Sequence, residues 1–351
     1  MNRFTGTTRR RRTAGVGPAA ATALTAALLA GCSGSAGGTA QDAGLVTGTA
    51  TTQDGTAIAY RDYGGQGPAI VLLTGLGNSA AVYDDFAPRL TDGNRVVAIT
   101  RRGFGDSDKP ATGYDLATRA TDNLAVLDEL GIEEAVFVGH SVAGSEMGEL
   151  AAEHADRVRG MVFLDATGQA LTERELGELE DCGAMMERWF PESAIGGADP
   201  LADLVAAEQA RFPFPLPASA RTELDAVTEI ADDGEVIWTN SIAGWNELSE
   251  AVADFTEVAA PALAVVAVTR DPGVLFPWIT PQSAPAQVVA EAARCGTLIG
   301  DSAEADIAAL DTANPGIEVE VWPDFHHYVF LQDPAATEAA IEDWLTRSGL
   351  D

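Results

Sequence analysis

The chain has 351 residues, 46% of them apolar, and a formal net charge of −32. That apolar share is enough to bury a sizeable core, which excludes wholesale disorder and fits one large α/β domain with an insertion or two domains. With 53 acidic against 21 basic residues and Lys109 the only lysine, general nucleic-acid binding is excluded, and three cysteines exclude a disulfide-rich miniprotein and a four-cysteine zinc site.

Charge is unevenly spread. Residues 1–31 carry five arginines, Arg3 and Arg9 to Arg12, and no acid. An Ala/Leu-rich stretch follows, shorter than the ~20 residues of a membrane-spanning helix. A basic segment before a short apolar one is the pattern of a secretory signal. It ends in Leu29-Ala30-Gly31-Cys32, which resembles the lipobox of bacterial lipoproteins. That resemblance implies cleavage before Cys32, lipidation of Cys32, and anchoring on the outer face of the bacterial cell membrane; the alternative is an ordinary cleaved signal with a chance cysteine. Removing five arginines from a chain of −32 would leave −37, so lipid and not charge must hold the protein at an anionic membrane. Residues 32–45 are rich in Gly, Ala and Ser and read as a flexible tether. In an oxidising compartment the remaining cysteines, Cys182 and Cys295, are free to pair; two buried thiols are the alternative.

Beyond residue 45, β-rich runs alternate with stretches of helical spacing. Residues 47–52 and 57–62 flank Gln53-Asp54-Gly55 and predict a hairpin. Compact apolar runs at 69–73, 95–100, 135–138, 161–164, 263–268 and 317–321 predict buried parallel strands. Residues 116–130, 146–154 and 334–350 have helical periodicity. The fold class that follows is α/β, a mostly parallel, doubly wound sheet. From 168 to 260 no buried strand is legible. That stretch, with Met185, Met186, Trp189, Phe190, Pro213, Pro215, Pro217, Trp238 and Trp245, predicts a mainly helical cap over a core of 46–167 and 261–351.

The central motif is Val136-Phe137-Val138-Gly139-His140-Ser141-Val142-Ala143-Gly144, a strand, then Gly-X-Ser-X-Ala-Gly, then a helix. It resembles the nucleophile elbow of the α/β-hydrolase family, with Ala143 where glycine is commoner. A sharp turn of this kind leaves no room for side chains at the flanking positions and lifts the serine hydroxyl above the sheet. Ile70-Val71-Leu72-Leu73-Thr74-Gly75-Leu76-Gly77 resembles the family's oxyanion strand and loop, with Thr74 where histidine is usual. The resemblance implies that the amides of Leu76 and Val142 form the oxyanion hole. The segment Thr100-Arg101-Arg102-Gly103-Phe104-Gly105-Asp106-Ser107-Asp108 is similar to the family's Arg-Gly-Phe-Gly-X-Ser and reads as structural, with Arg102 in packing.

Of four histidines, His140 sits inside the elbow and His154 at a helix end. Phe325-His326-His327, followed by Tyr328 and Pro334, resembles the family's catalytic-histidine segment, with the base seven residues before the proline. That register implies His327 and puts His326 where glycine is usual. The acid is expected at Asp271, after the 263–268 strand, which keeps the family's chain order of Ser, acid and His. Asp165, at the end of the preceding strand, is the alternative, and Glu146 a distant third. The aspartate not used would be a turn or capping residue.

The resemblance implies a serine hydrolase cleaving ester-like substrates through an acyl-enzyme, with a small acyl substrate, no cofactor and no metal. Perhydrolase or haloperoxidase, amidase, lactonase and thioesterase chemistry use the same three residues. A non-catalytic binding lipoprotein on the same fold is the rival outside catalysis.

Overall fold

The computed structural model describes residues 44–168, 181–185, 188–189, 199–231, 235–249 and 252–351. The stretch expected to be an export signal, Cys32 and all but the end of the expected tether therefore lie outside the described residues, as do Met186 and Phe190.

An eight-stranded sheet organises the fold, in the order β1-β2-β4-β3-β5-β6-β9-β10. Its members are β1 (Val46–Thr51), β2 (Ala57–Gly64), β3 (Ala69–Leu73), β4 (Arg95–Ile99), β5 (Ala135–His140), β6 (Val158–Leu164), β9 (Ala262–Val268) and β10 (Glu318–Pro323). The hairpin β1–β2 and the pair β2–β4 are antiparallel, and every other pair is parallel. The predicted α/β class and mostly parallel sheet are those observed. β3, β5 and β9 are buried along their whole length, which is why they read as unbroken apolar runs.

Side chains alternate across the pleat and feed two cores. Val71, Leu73 and Phe137 face one, with residues of α1 (Leu116–Glu129) and α2 (Ala143–Glu153). Ile70, Leu72 and Val138 face the other, with Tyr83, Phe86, Phe330 and Trp344.

The cap contributes α3 (Pro200–Gln209), α4 (Ala220–Val227), a two-stranded ribbon of β7 (Thr228–Ile230) and β8 (Val236–Trp238), and α5 (Ile242–Ser249). The ribbon adds strand to a segment expected to be mainly helical. It escaped notice because its three-residue strands are largely exposed and carry no buried apolar run. After β9 come a single helical turn, α6 (Pro272–Leu275), and a 28-residue helix, α7 (Ala286–Ala313), with no counterpart among the predicted elements. α8 (Val329–Gln332) and α9 (Pro334–Ser348) close the chain.

Cys182 and Cys295 are joined by a disulfide. Around it Met185, Phe276, Ile279 and Ala292 form a separate apolar cluster. Part of the expected cap thus shares a core with residues after 260, and a boundary at 260 does not divide the packing. The bridge spans 113 positions, and in the chain-entropy limit a loop of that size stabilises by about 5 kcal/mol. Replacing Cys182 and Cys295 by Ser should lower the denaturation midpoint of the oxidised protein and abolish its sensitivity to reductant; an unchanged midpoint would show the bridge to be thermodynamically idle.

Candidate active site

Ser141 follows β5 directly and lies in left-handed backbone, φ 57°. For a non-glycine residue that conformation costs about 1–3 kcal/mol and persists only where its surroundings hold it. Here Ser141 N–H donates to the Leu164 carbonyl at 3.2 Å and its own carbonyl accepts from Gly144 N–H at 3.1 Å. Close packing does the rest. A Cβ on Gly139 would sit 2.3 Å from Met147 Sδ, and one on Gly144 would sit 2.0 Å from the Ala166 carbonyl oxygen. The turn therefore needs three small residues, Gly139, Ala143 and Gly144, and α2 begins with its N-terminus beside the serine.

His327 follows β10, and its Nδ1 lies 2.6 Å from Asp165 Oδ2. Asp165 is held rigidly. It too has left-handed backbone, φ 46°, its N–H donates to the Val265 carbonyl at 2.8 Å, and its Oδ1 accepts from Ala267 N–H at 2.9 Å. Nδ1 is thus committed to the carboxylate, and Nε2 is the ring nitrogen left to take a proton. The imidazole is partly open, 43% exposed, while Asp165 is 18% exposed. Ser141, Asp165 and His327 line one cavity of about 350 Å³, with Val142, Ser145 and Ile299 among its walls.

Asp271, the acid expected first, is elsewhere. Its carboxylate caps α6, accepting from Gly273 N–H at 2.8 Å, and it is exposed. The cause is α7. A Cβ on Gly296 would lie 2.5 Å from the Arg270 carbonyl oxygen, so the helix presses on the chain just after β9. Arg270 is drawn outward to Asp301 and Glu304 of α7, at 2.7 and 3.0 Å. The Asp271 carboxylate is thus engaged at the cap, and Asp165 takes the position beside the imidazole. Glu146 is no acid partner either. It is buried against Arg101 and Arg119.

His326 is engaged elsewhere. Its Nδ1 accepts from Tyr328 N–H at 3.2 Å and its ring packs on Phe212 and Phe214 of the cap, where burial and then the neighbouring His327 push its pKa down to about 4. His140 supports the site from below. Its Nε2 lies 3.1 Å from the His327 carbonyl, which can only accept, so Nε2 carries the proton. Burial and then His327 hold its pKa well below the ordinary value, keeping the ring neutral.

The amides of Leu76 and Val142 donate no hydrogen bond among the described residues. Neighbouring groups of the oxyanion loop are tied. Arg101 donates to the Thr74 carbonyl at 2.8 Å and the Gly75 carbonyl at 3.4 Å, and Asn240 of the cap donates to the Gly77 carbonyl at 2.9 Å. Gly75 is obligatory, because a Cβ there would lie 2.6 Å from His140 Nδ1. Thr74, in place of the family's usual histidine, is buried and accepts at its carbonyl. Arg102 packs as expected, donating to both Asp122 oxygens at 2.5 and 2.6 Å. Sequence reading missed Arg101, Asn78, Asn240 and Glu223. Only Arg101 had a signal, its place beside Arg102 in the segment after β4.

A family model described as the alpha/beta hydrolase fold matches residues 68–255, more than half of the chain. The chain belongs to the α/β-hydrolase family. It is 43% identical over 102 residues to a non-heme chloroperoxidase of Streptomyces lividans, covering 28% of this chain and 37% of that one. It is 36% identical over 131 residues to a bifunctional esterase/perhydrolase of Acinetobacter calcoaceticus, covering 36% and 48%. The chain thus spans less than half the length of these curated relatives. A crystal structure of E-2-(acetamidomethylene)succinate hydrolase superposes with a TM-score of 0.62 at 22% identity, covering 86% of this chain and 99% of that one, a likeness of fold. Among the described residues no cluster of His, Cys, Asp and Glu could hold a metal ion, and no helix is long and apolar enough to cross a membrane.

Two substitutions separate the aspartates. Asp165→Asn removes the carboxylate that orients His327 and should lower kcat on an ester roughly 10⁴-fold. Asp271→Asn should leave kcat within about 2-fold, since an Asn cap replaces an Asp cap at little cost. The reverse ranking in steady-state kinetics would restore Asp271 as the acid.

Proposed function

We propose that this α/β-hydrolase family member is an exported, lipid-anchored serine hydrolase that cleaves ester-like substrates through an acyl-enzyme. The observation that carries the reading is the 2.6 Å contact of His327 Nδ1 with a fixed Asp165, in the cavity that Ser141 also lines. In this reading Ser141 Oγ attacks the substrate carbonyl carbon and its proton passes to His327 Nε2. Asp165 stabilises the imidazolium that forms. The amides of Leu76 and Val142, with the N-terminus of α2, hold the negative oxygen of the tetrahedral intermediate. His327 then protonates the departing alcohol. A water, losing its proton to the same imidazole, attacks the acyl carbon; the bond to Ser141 Oγ breaks, the imidazolium returns that proton to Oγ, and the acid leaves. No step calls for a cofactor or metal.

The lipobox-like ending at Cys32 and the Gly/Ala/Ser-rich stretch after it support the anchoring part of the reading, as sequence features. A second reading, perhydrolysis, draws on the names of the two curated relatives. It differs in one step, attack on the acyl-enzyme by hydrogen peroxide in place of water to give a peracid.

Ser141→Ala should lower turnover of a short-chain p-nitrophenyl ester by roughly 10⁶-fold, to background. Undiminished turnover would sink the assignment. The same assay with hydrogen peroxide added, read as peracid formed, apportions the acyl-enzyme between the two acceptors.

A further inference from the structure

We propose that Glu223 of the cap is a positioning residue for the oxyanion loop, setting the place of the Leu76 amide through Asn78 and Ser79. The inference rests on the serine-hydrolase reading above and adds to it a residue outside the catalytic three.

Glu223 lies on α4 and is buried, yet no cation among the described residues pairs with its carboxylate. Among the described residues, the hydrogen bonds to this carboxylate come from the loop that follows β3. Asn78 Nδ2 donates to Oε1 at 3.0 Å, Ser79 N–H donates to Oε1 at 2.9 Å, and the Ser79 hydroxyl lies 2.5 Å from Oε2. Ser79 Oγ also accepts from Ala81 N–H at 3.2 Å, so its proton is free to go to the carboxylate. Asn78 then extends the link. Its Oδ1 accepts from the Tyr328 hydroxyl at 3.2 Å, on the residue after His327. One carboxylate thus joins the cap, the loop two residues beyond Leu76, and the segment that carries the base.

A buried carboxylate is expensive unless its lone pairs are filled, so the loop donors and Glu223 fix each other. The charged and titratable groups around it give little relief. Asp84 adds repulsion and is itself paired with Arg61; Tyr83 and Tyr328 face it from the core; Glu208 of α3, raised by its own burial, stands near Tyr328 with Arg211. Burial first, against the pull of the Ser79 and Asn78 hydrogen bonds, pushes the Glu223 pKa up to about 7. Ionised, the carboxylate accepts all three loop bonds. Protonated, it must donate to one partner, and the Ser79 hydroxyl proton loses its acceptor. The loop therefore has its tightest hold above neutrality, and the acid limb of activity should contain the Glu223 ionisation as well as that of the base.

The test is a pH series of kcat and KM on p-nitrophenyl acetate for the wild type, Glu223→Gln, Glu223→Ala and Ser141→Ala, with near-ultraviolet circular dichroism as the check on folding. Misplacing one oxyanion donor should lower kcat about 10-fold to 100-fold in Glu223→Ala, with KM changed far less. Glu223→Gln, which keeps an acceptor for Asn78 and Ser79 N–H, should recover part of that loss. In it the acid limb of log kcat/KM should fall with unit slope, where the wild type falls more steeply. If Glu223→Ala does not fold, the slopes of the wild type and Glu223→Gln decide alone. Superposable profiles, or a loss in KM with kcat intact, overturn the proposal while Ser141-dependent turnover upholds the serine-hydrolase reading. Absence of Ser141-dependent turnover in the wild type brings down both.

Discussion

The left-handed backbone of Ser141 is the constraint on which the rest of the site depends. It turns the chain from β5 into α2 within two residues and puts the serine hydroxyl above the sheet with the amide of Val142 beside it. The strain is of order 1–3 kcal/mol and has to be offset nearby. It is offset by backbone contact. Gly144 lies so close to the carbonyl of Ala166 that no side chain fits, and Gly148, one turn on, is also packed against a carbonyl, that of Asp254. The same contact sets Asp165, the residue before Ala166, next to the nucleophile. Serine and acid are thus positioned by one tightly packed junction between α2 and the end of β6.

Around this junction the loops are held by buried charge. Arg101, buried, pairs with Glu146 on α2 and also donates to the carbonyls of Thr74 and Gly75. The oxyanion loop is therefore tied to the nucleophile helix through a guanidinium. Losing Glu146 would strand Arg101 and Arg119, both buried against it, a cost of about 3–5 kcal/mol. Asn240 and Glu223 bind the outer part of the same loop from the cap. Among the described residues the Leu76 amide has no acceptor of its own, as a donor to a developing oxyanion would need.

Much of this was legible in the sequence, and what was not has physical causes. The central strands announced themselves because burial on both faces makes them continuous apolar runs. Ser141 was legible because the steric rule of its turn selects small residues at fixed spacing between a strand and a helix. The register against Pro334 pointed to His327. Asp271 was expected beside His327, where the structure has Asp165; the turn at 269–271 is pressed by α7, later in the chain, through the close approach of Gly296 to Arg270. No local pattern near Asp271 carries that information. Glu223 was invisible for another reason. In a chain with 53 acidic residues, a glutamate on a short amphipathic helix reads as solvated surface until the fold buries it. The ribbon of β7 and β8 is too short and too exposed to leave a strand pattern.

The central claim is that Ser141 is the one nucleophile, activated by His327 and Asp165. Its most direct test is to react the folded protein with a fluorophosphonate, digest it and map the adduct by tandem mass spectrometry. The account predicts one adduct per chain, on the peptide carrying Ser141. An adduct on another serine, or no adduct on the folded protein, would contradict it.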